Sequence, residues 1–343
     1  MSDLHPSGAV TLTKDTGATA PGAPLLRVEE LEVVLPGVAG EGTVVDSVSF
    51  SVAAGRTTGL IGESGSGKTM SSMSVVGLLP GGARTSGRIV WKSENLLDVP
   101  GRRLRQVRGH EIGVIFQDPL AALNPIQPVG RQVGEILRRG GMRRQEVRAR
   151  VLQLLERVGI PDPGERIDVH PHEMSGGMRQ RVVIAMALAG GPELIIADEP
   201  TTALDVTTQA RILRLLADLR EQEGVAMLLV SHDLRVMAHV ADDVVVMYAG
   251  RVAERGPARE VLKQPRHPYT RALGNNVPAV STKTAIAEPL QGAPANPFDR
   301  PSGCAFHPRC PMARERCRTE VPRLREASPG RFSACHFASE VSS

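Results

Sequence analysis

Residues 57–70 read TTGLIGESGSGKTM: a short apolar run, a glycine-rich turn, then a lysine and a threonine that open a helical pattern. Gly62, Glu63, Ser64, Gly65, Ser66, Gly67, Lys68 and Thr69 match the eight-residue phosphate-binding loop in full, with strand before and helix after, as that motif requires. The chemistry explains the residue types. Glycines at 62, 65 and 67 let backbone N–H groups wrap an anion where side chains would collide. The helix opening near Lys68 adds the positive end of its dipole. Lys68 is placed to reach β- and γ-phosphates, and Thr69 to offer its hydroxyl to Mg²⁺. The stretch predicts a nucleoside triphosphate site.

On both sides of this loop, short β-like runs alternate with helical patterns. Strands are expected at 25–34, 47–52, 57–61, 112–116, 194–197, 226–230 and 244–248, and helices at 68–79, 146–158, 177–188, 206–221 and 234–240. Such alternation predicts an α/β core with a mainly parallel sheet. Between 119 and 174 the strand signal vanishes and Arg-rich helical patterns take over, with Val151, Leu154, Leu155 and Val158 on one face. This reads as a helical subdomain inserted into the sheet domain.

Two carboxylates end the apolar run 194–197. Asp198 and Glu199 are thereby delivered to the C-terminal end of a strand, where open α/β sheets bind ligands. Asp198 suits the Mg²⁺ shell, and Glu199 is placed to polarise an attacking water. Ser175, Gly176 and Gly177 lie 23 residues before Asp198 and open another helix, making a second phosphate-binding surface. One nucleotide in one chain does not need two such surfaces. Two subunits sandwiching the nucleotide resolve this.

The 343 residues are 41% hydrophobic and 23% charged, which excludes wholesale disorder. Forty-one Lys and Arg against 37 Asp and Glu is too small an excess to argue for nucleic-acid binding. No apolar run approaches bilayer-spanning length. Residues 1–24 read as a flexible tail without a secretory signal. All four cysteines fall after residue 303, so no disulfide framework is expected. Past about residue 256, Pro, Arg and small residues dominate and no strand is expected. Residues 265–343 read as a separate C-terminal extension beyond a core at 25–264.

The set of motifs resembles the ATP-binding cassette (ABC) family over roughly residues 25–337. The elements, in chain order, are the phosphate loop, Gln117 in FQDP, MSGGM at 174–178, the strand ending in Asp198 and Glu199, Ala203-Leu204-Asp205, and His232 in SHD. The resemblance implies a P-loop NTPase nucleotide-binding domain with an inserted helical subdomain and an irregular Cys-rich extension. It implies that Gln117 contacts Mg²⁺ and senses a membrane partner, that Asp205 lies at the nucleotide seam, and that His232 holds the γ-phosphate. Met174 and Met178 stand where the family's signature carries Leu and Gln. Where the family often places an adenine-stacking aromatic, this chain has Leu35 and no aromatic before Phe50, which implies weaker or aliphatic packing of the base.

DPLAALNP (118–125), RHPYTRAL (266–273) and GCAFHPRCPMARERC (303–317) narrow the resemblance to the ATPase subunits of oligopeptide and dipeptide importers. That implies ATP hydrolysis at the cytoplasmic face of the cell membrane, with the subunit held there peripherally. The implied partners are a second, related ATPase chain, two transmembrane permeases and an extracytoplasmic substrate-binding protein, with no nucleic acid. Nickel and sugar cargoes stay open, as does a soluble cassette ATPase acting on nucleic acid or ribosomes. Cys304, Cys310, Cys317 and Cys335 are separated by five, six and seventeen residues. They supply a complete tetrahedral donor set. Spacing leaves Zn²⁺ open; the resemblance points to a [4Fe–4S] cluster, with His307 and His336 as adjacent alternative ligands.

Overall fold

The computed structural model describes residues 24–37, 40–202, 204–275 and 292–341. All but the last residue of the expected N-terminal tail, together with Ala203, lie outside the described residues.

The main sheet has eight strands. Five are mutually parallel, in the spatial order Asp243–Tyr248, Thr57–Ile61, Ala226–Ser231, Leu194–Asp198, Ile112–Ile115. The three central strands are buried throughout, so their sequences read as continuous apolar runs rather than alternations. Alternate side chains feed two cores. Ile61, Ile195 and Leu229 join the core beneath the helical insert, whereas Leu60, Ile196 and Leu228 join the core facing a second sheet.

That second sheet is antiparallel and four-stranded, in the order Gly40–Ala53, Pro24–Gly37, Arg84–Trp91, Glu94–Asn95. Its third strand was not expected, because RTSGRIVW carries its apolar residues only at the end, where Ile89, Val90 and Trp91 are buried. The helix Lys68–Val75 packs between the two sheets.

The insert is helical, as expected. Val129–Arg139 packs on Arg144–Arg157, and both pack on Gly176–Ala189. Val151, Leu154, Leu155 and Val158 form the buried face.

The C-terminal extension departs from expectation. It contains two strands, Arg325–Ser328 and Arg331–Ser333, that prolong the main sheet through antiparallel pairing with Arg251–Pro257. It is therefore not strand-free: it continues the core. Short strands with exposed alternate positions offer no apolar rhythm to read. The junction is locked by Arg331 and Glu254, 3.2 Å apart with both side chains buried. The Glu254 carboxylate also accepts the backbone N–H groups of Arg266 at 2.8 Å and His267 at 3.0 Å. Among the described residues, no helix is long and apolar enough to cross a membrane.

Candidate nucleotide site

The phosphate loop joins the strand Thr57–Ile61 to the helix Lys68–Val75. Gly65 and Gly67 adopt φ of +78° and +96°, a backbone region that side-chain-bearing residues rarely enter. A Cβ at Gly67 would also press to 3.0 Å from the Val44 carbonyl. Lys68 is buried, and its ammonium donates to the carbonyls of Gly62 at 2.8 Å and Glu63 at 2.9 Å. Burial pulls its pKa down, against the pull of Glu199, Asp198 and Glu63. The buried Ser66 hydroxyl has no hydrogen-bond partner among the described residues. A donor without a partner and an ammonium held only by uncharged carbonyls both suit an incoming anion.

Asp198 ends the parallel strand Leu194–Asp198, separated from Thr57–Ile61 by one strand, and accepts a 3.1 Å hydrogen bond from the Thr69 hydroxyl. Burial raises its pKa, and the Thr69 bond opposes that shift. The two oxygens stand side by side, as two ligands of one Mg²⁺ would. Glu199 follows with φ of +43°, a left-handed conformation that costs a non-glycine residue strain and recurs at functional sites. Its carboxylate lies 2.8 Å from the Thr202 hydroxyl, 3.3 Å from Gln117 Nε2 and 3.3 Å from His232 Nδ1. Gln117, Glu199, His232 and all eight loop residues line one cavity of about 1030 Å³.

Ser175, Gly176, Gly177 and Asp205 do not reach this cavity. Ser175 caps the helix Gly176–Ala189, accepting from Met178 N at 3.3 Å. Asp205 caps Val206–Glu223, accepting from Thr208 N at 2.9 Å, and the Thr208 hydroxyl and then this N–H hold its carboxyl below the usual range. The two caps are neighbours, since a Cβ at Gly177 would stand 2.7 Å from Thr208 Cγ2.

Three features went unread in the sequence. The Tyr269 hydroxyl accepts the Glu63 N–H of the loop at 2.8 Å. Arg309 forks onto the Glu63 carboxylate at 2.7 and 3.0 Å. Pro294, Pro297 and Phe298 of the extension line the cavity beside Val44. Leu35, at the position where an aromatic was sought, packs instead against the core between the sheets.

The four cysteines are free thiols. All four line one cavity of about 20 Å³, walled by Pro268, Phe306, Met312 and Phe337. Burial pushes Cys304 and Cys335 up to about 11 and raises Cys310 as well. Yet among the described residues no three His, Cys, Asp or Glu side chains form a group that could hold a metal ion. The expected metal centre is thus not supported by the arrangement of the described residues. His307 Nδ1 lies 3.0 Å from the Cys304 carbonyl and His336 Nε2 2.9 Å from the Glu320 carbonyl, so each imidazole has a backbone partner.

Comparison with known proteins agrees with this geometry. Residues 45–202 match the ABC transporter family, and residues 253–317 match the oligopeptide/dipeptide transporter C-terminal region. The chain is 44% identical to the dipeptide transport ATP-binding protein DppD of Escherichia coli (strain K12), covering 91% of this chain and 96% of that one. It is 44% identical to the oligopeptide transport ATP-binding protein OppD of Salmonella typhimurium (strain LT2), covering 93% and 96%. Among solved structures, the dimeric post-hydrolysis state of the ATP-binding cassette MJ0796 bound to ADP and Pi superposes with a TM-score of 0.61 at 27% identity. It covers 68% of this chain and 99% of that one.

Proposed function

The chain belongs to the ABC transporter family, among dipeptide and oligopeptide transport ATP-binding proteins, and on that premise we propose that it is the ATP-hydrolysing subunit of a peptide importer. The observation that carries this is the meeting of Lys68, Thr69, Gln117, Glu199 and His232 at one cavity, with Asp198 hydrogen-bonded to Thr69 behind it. Lys68 and the loop amides hold the β- and γ-phosphates. Thr69, Asp198 and Gln117 would hold Mg²⁺, which supplies neutralisation of charge on the phosphate oxygens. Glu199 takes the proton from the attacking water, and His232 orients that water and the γ-phosphate.

Ser175, Gly176, Gly177 and Asp205 act on the nucleotide of a partner ATPase. Their distance from this chain's own cavity supports that reading, as does Val206 beside them, 83% exposed. Phe116, Leu120 and Ile126 are large exposed hydrophobics around Gln117 and the start of the insert. They suit docking to transmembrane permeases, which would keep the subunit at the cytoplasmic face while a substrate-binding protein delivers peptides to the permeases. The four thiols hold a [4Fe–4S] cluster with a structural role. Supporting this are the one apolar-walled cavity that all four thiols line and the absence of any disulfide among them.

Glu199→Gln tests the core of the proposal. Hydrolysis should fall by about 10²–10⁴-fold with ATP binding retained, measured by phosphate release and equilibrium dialysis. A variant hydrolysing at the unsubstituted rate removes Glu199 from the base role. Anaerobically purified protein should be brown with broad visible absorbance; colourless protein with stoichiometric zinc rules out the cluster.

A further inference from the structure

The nucleotide cavity has two chemically distinct parts. Gln117, Glu199 and His232 touch one another through the Glu199 carboxylate and form the polar part. Val44, Pro294, Pro297 and Phe298 form the apolar part. Among the described lining residues the only aromatic rings are those of His232, engaged with Glu199, and Phe298. A triphosphate whose terminal phosphate meets Glu199 leaves its base for the apolar part.

Phe298 is held ready for a flat partner. Its side chain is a large hydrophobic left 49% exposed, so ring surface is open to a ligand in the cavity. One side of the ring rests on the hairpin between the first two strands. A Cβ at Gly42 would fall 1.9 Å from Phe298 Cδ1, so the ring occupies the space that a side chain there would fill. The turn carrying it is pinned at both ends. Ala295 N donates to the Tyr248 hydroxyl at 3.1 Å, while Arg300 donates to the carbonyls of Ala249 at 2.6 Å and Thr43 at 2.8 Å. Phe298 N closes the turn onto Asn296 Oδ1 at 2.9 Å. Fixing a ring in advance removes the ordering cost that a mobile aromatic would bring to binding.

We propose that Phe298, delivered by the C-terminal extension, is the ring on which the adenine of ATP stacks, in place of an aromatic from the first strand. The inference rests on the ATPase reading and assigns the base subsite that Leu35 does not fill. It also gives the extension a direct part in nucleotide affinity.

The test compares ATP with inorganic tripolyphosphate, each with Mg²⁺, on the purified full-length chain by equilibrium dialysis. Stacking on an aromatic is lost on truncation to alanine. Phe298→Ala should therefore weaken ATP binding by about ten- to a hundredfold and leave tripolyphosphate affinity unchanged. Phe298→Trp and Phe298→Tyr should restore ATP affinity. If Phe298→Ala binds ATP as the unsubstituted chain does, or loses both ligands equally, the assignment is overturned. An unsubstituted chain that binds neither ligand overturns the ATPase reading and this inference together.

Discussion

Glu63 sits inside the phosphate loop, yet its backbone and carboxylate are both held by residues more than two hundred positions downstream. The Arg309 side chain is 5% exposed, and the forked geometry satisfies both carboxylate oxygens. Its charge is stabilised first by Glu63 and then by the Tyr248 hydroxyl, so it stays protonated at any working pH. Arg309→Ala should cost about 1.5–3 kcal/mol in folding stability and weaken nucleotide binding. Arg309→Lys should recover only part, because an ammonium cannot fork. Thermal unfolding and ATP titration measure the two effects, and unchanged values in both would detach Arg309 from the loop. At this scale the sequence was legible wherever function sits in contiguous motifs, as for Lys68, Thr69, Asp198, Glu199 and His232. Arg309, Tyr269 and Phe298 escaped because nothing local marks an arginine or an aromatic as the neighbour of a distant loop.

Elements tell the same story through burial. The three central strands of the main sheet were readable because burial on both faces demands unbroken apolar runs. The helices at 146–158 and 177–188 were found within two residues at each end, since several turns of periodicity average out local noise. The strand Arg84–Trp91 hid behind its exposed first half, and Arg331–Ser333 was too short to show a period. What secures that last strand is the ion pair between Arg331 and Glu254 rather than apolar area. Burial pushes the Glu254 carboxyl up, so its ionised form depends on the donors around it. Arg331→Met leaves that carboxylate without its cation in a dry setting and should cost about 3–5 kcal/mol. Glu254→Gln combined with Arg331→Met should recover much of the loss, because no buried charge is then stranded. Denaturant unfolding of both variants checks this, and equal stability of the two would mean the pair carries no such energy.

At the scale of the whole molecule, the proposed sandwich needs two surfaces, and the chain keeps them apart. Its own cavity is complete on the side of Lys68 and Glu199, whereas Ser175 caps a helix outside that cavity. Ser175→Arg should thus leave ATP binding to the isolated chain intact and abolish the hydrolysis that the proposed sandwich carries out. Dialysis and phosphate release separate these, and a loss of ATP affinity in the isolated variant would put Ser175 in the chain's own pocket. The division into sheet core, insert and extension was visible in composition, but the way the extension folds back onto the nucleotide cavity was not. Joining distant segments in space leaves no trace in the order of residues. The clamp on Glu63 has a consequence during translation. The phosphate loop leaves the exit tunnel early, while the arginine that grips it follows 246 residues later. At about 5–20 residues per second that is a delay of roughly ten seconds or more. A nascent chain therefore carries an unfinished cradle for most of its synthesis, and premature release upstream of the grip yields a product whose loop was never anchored.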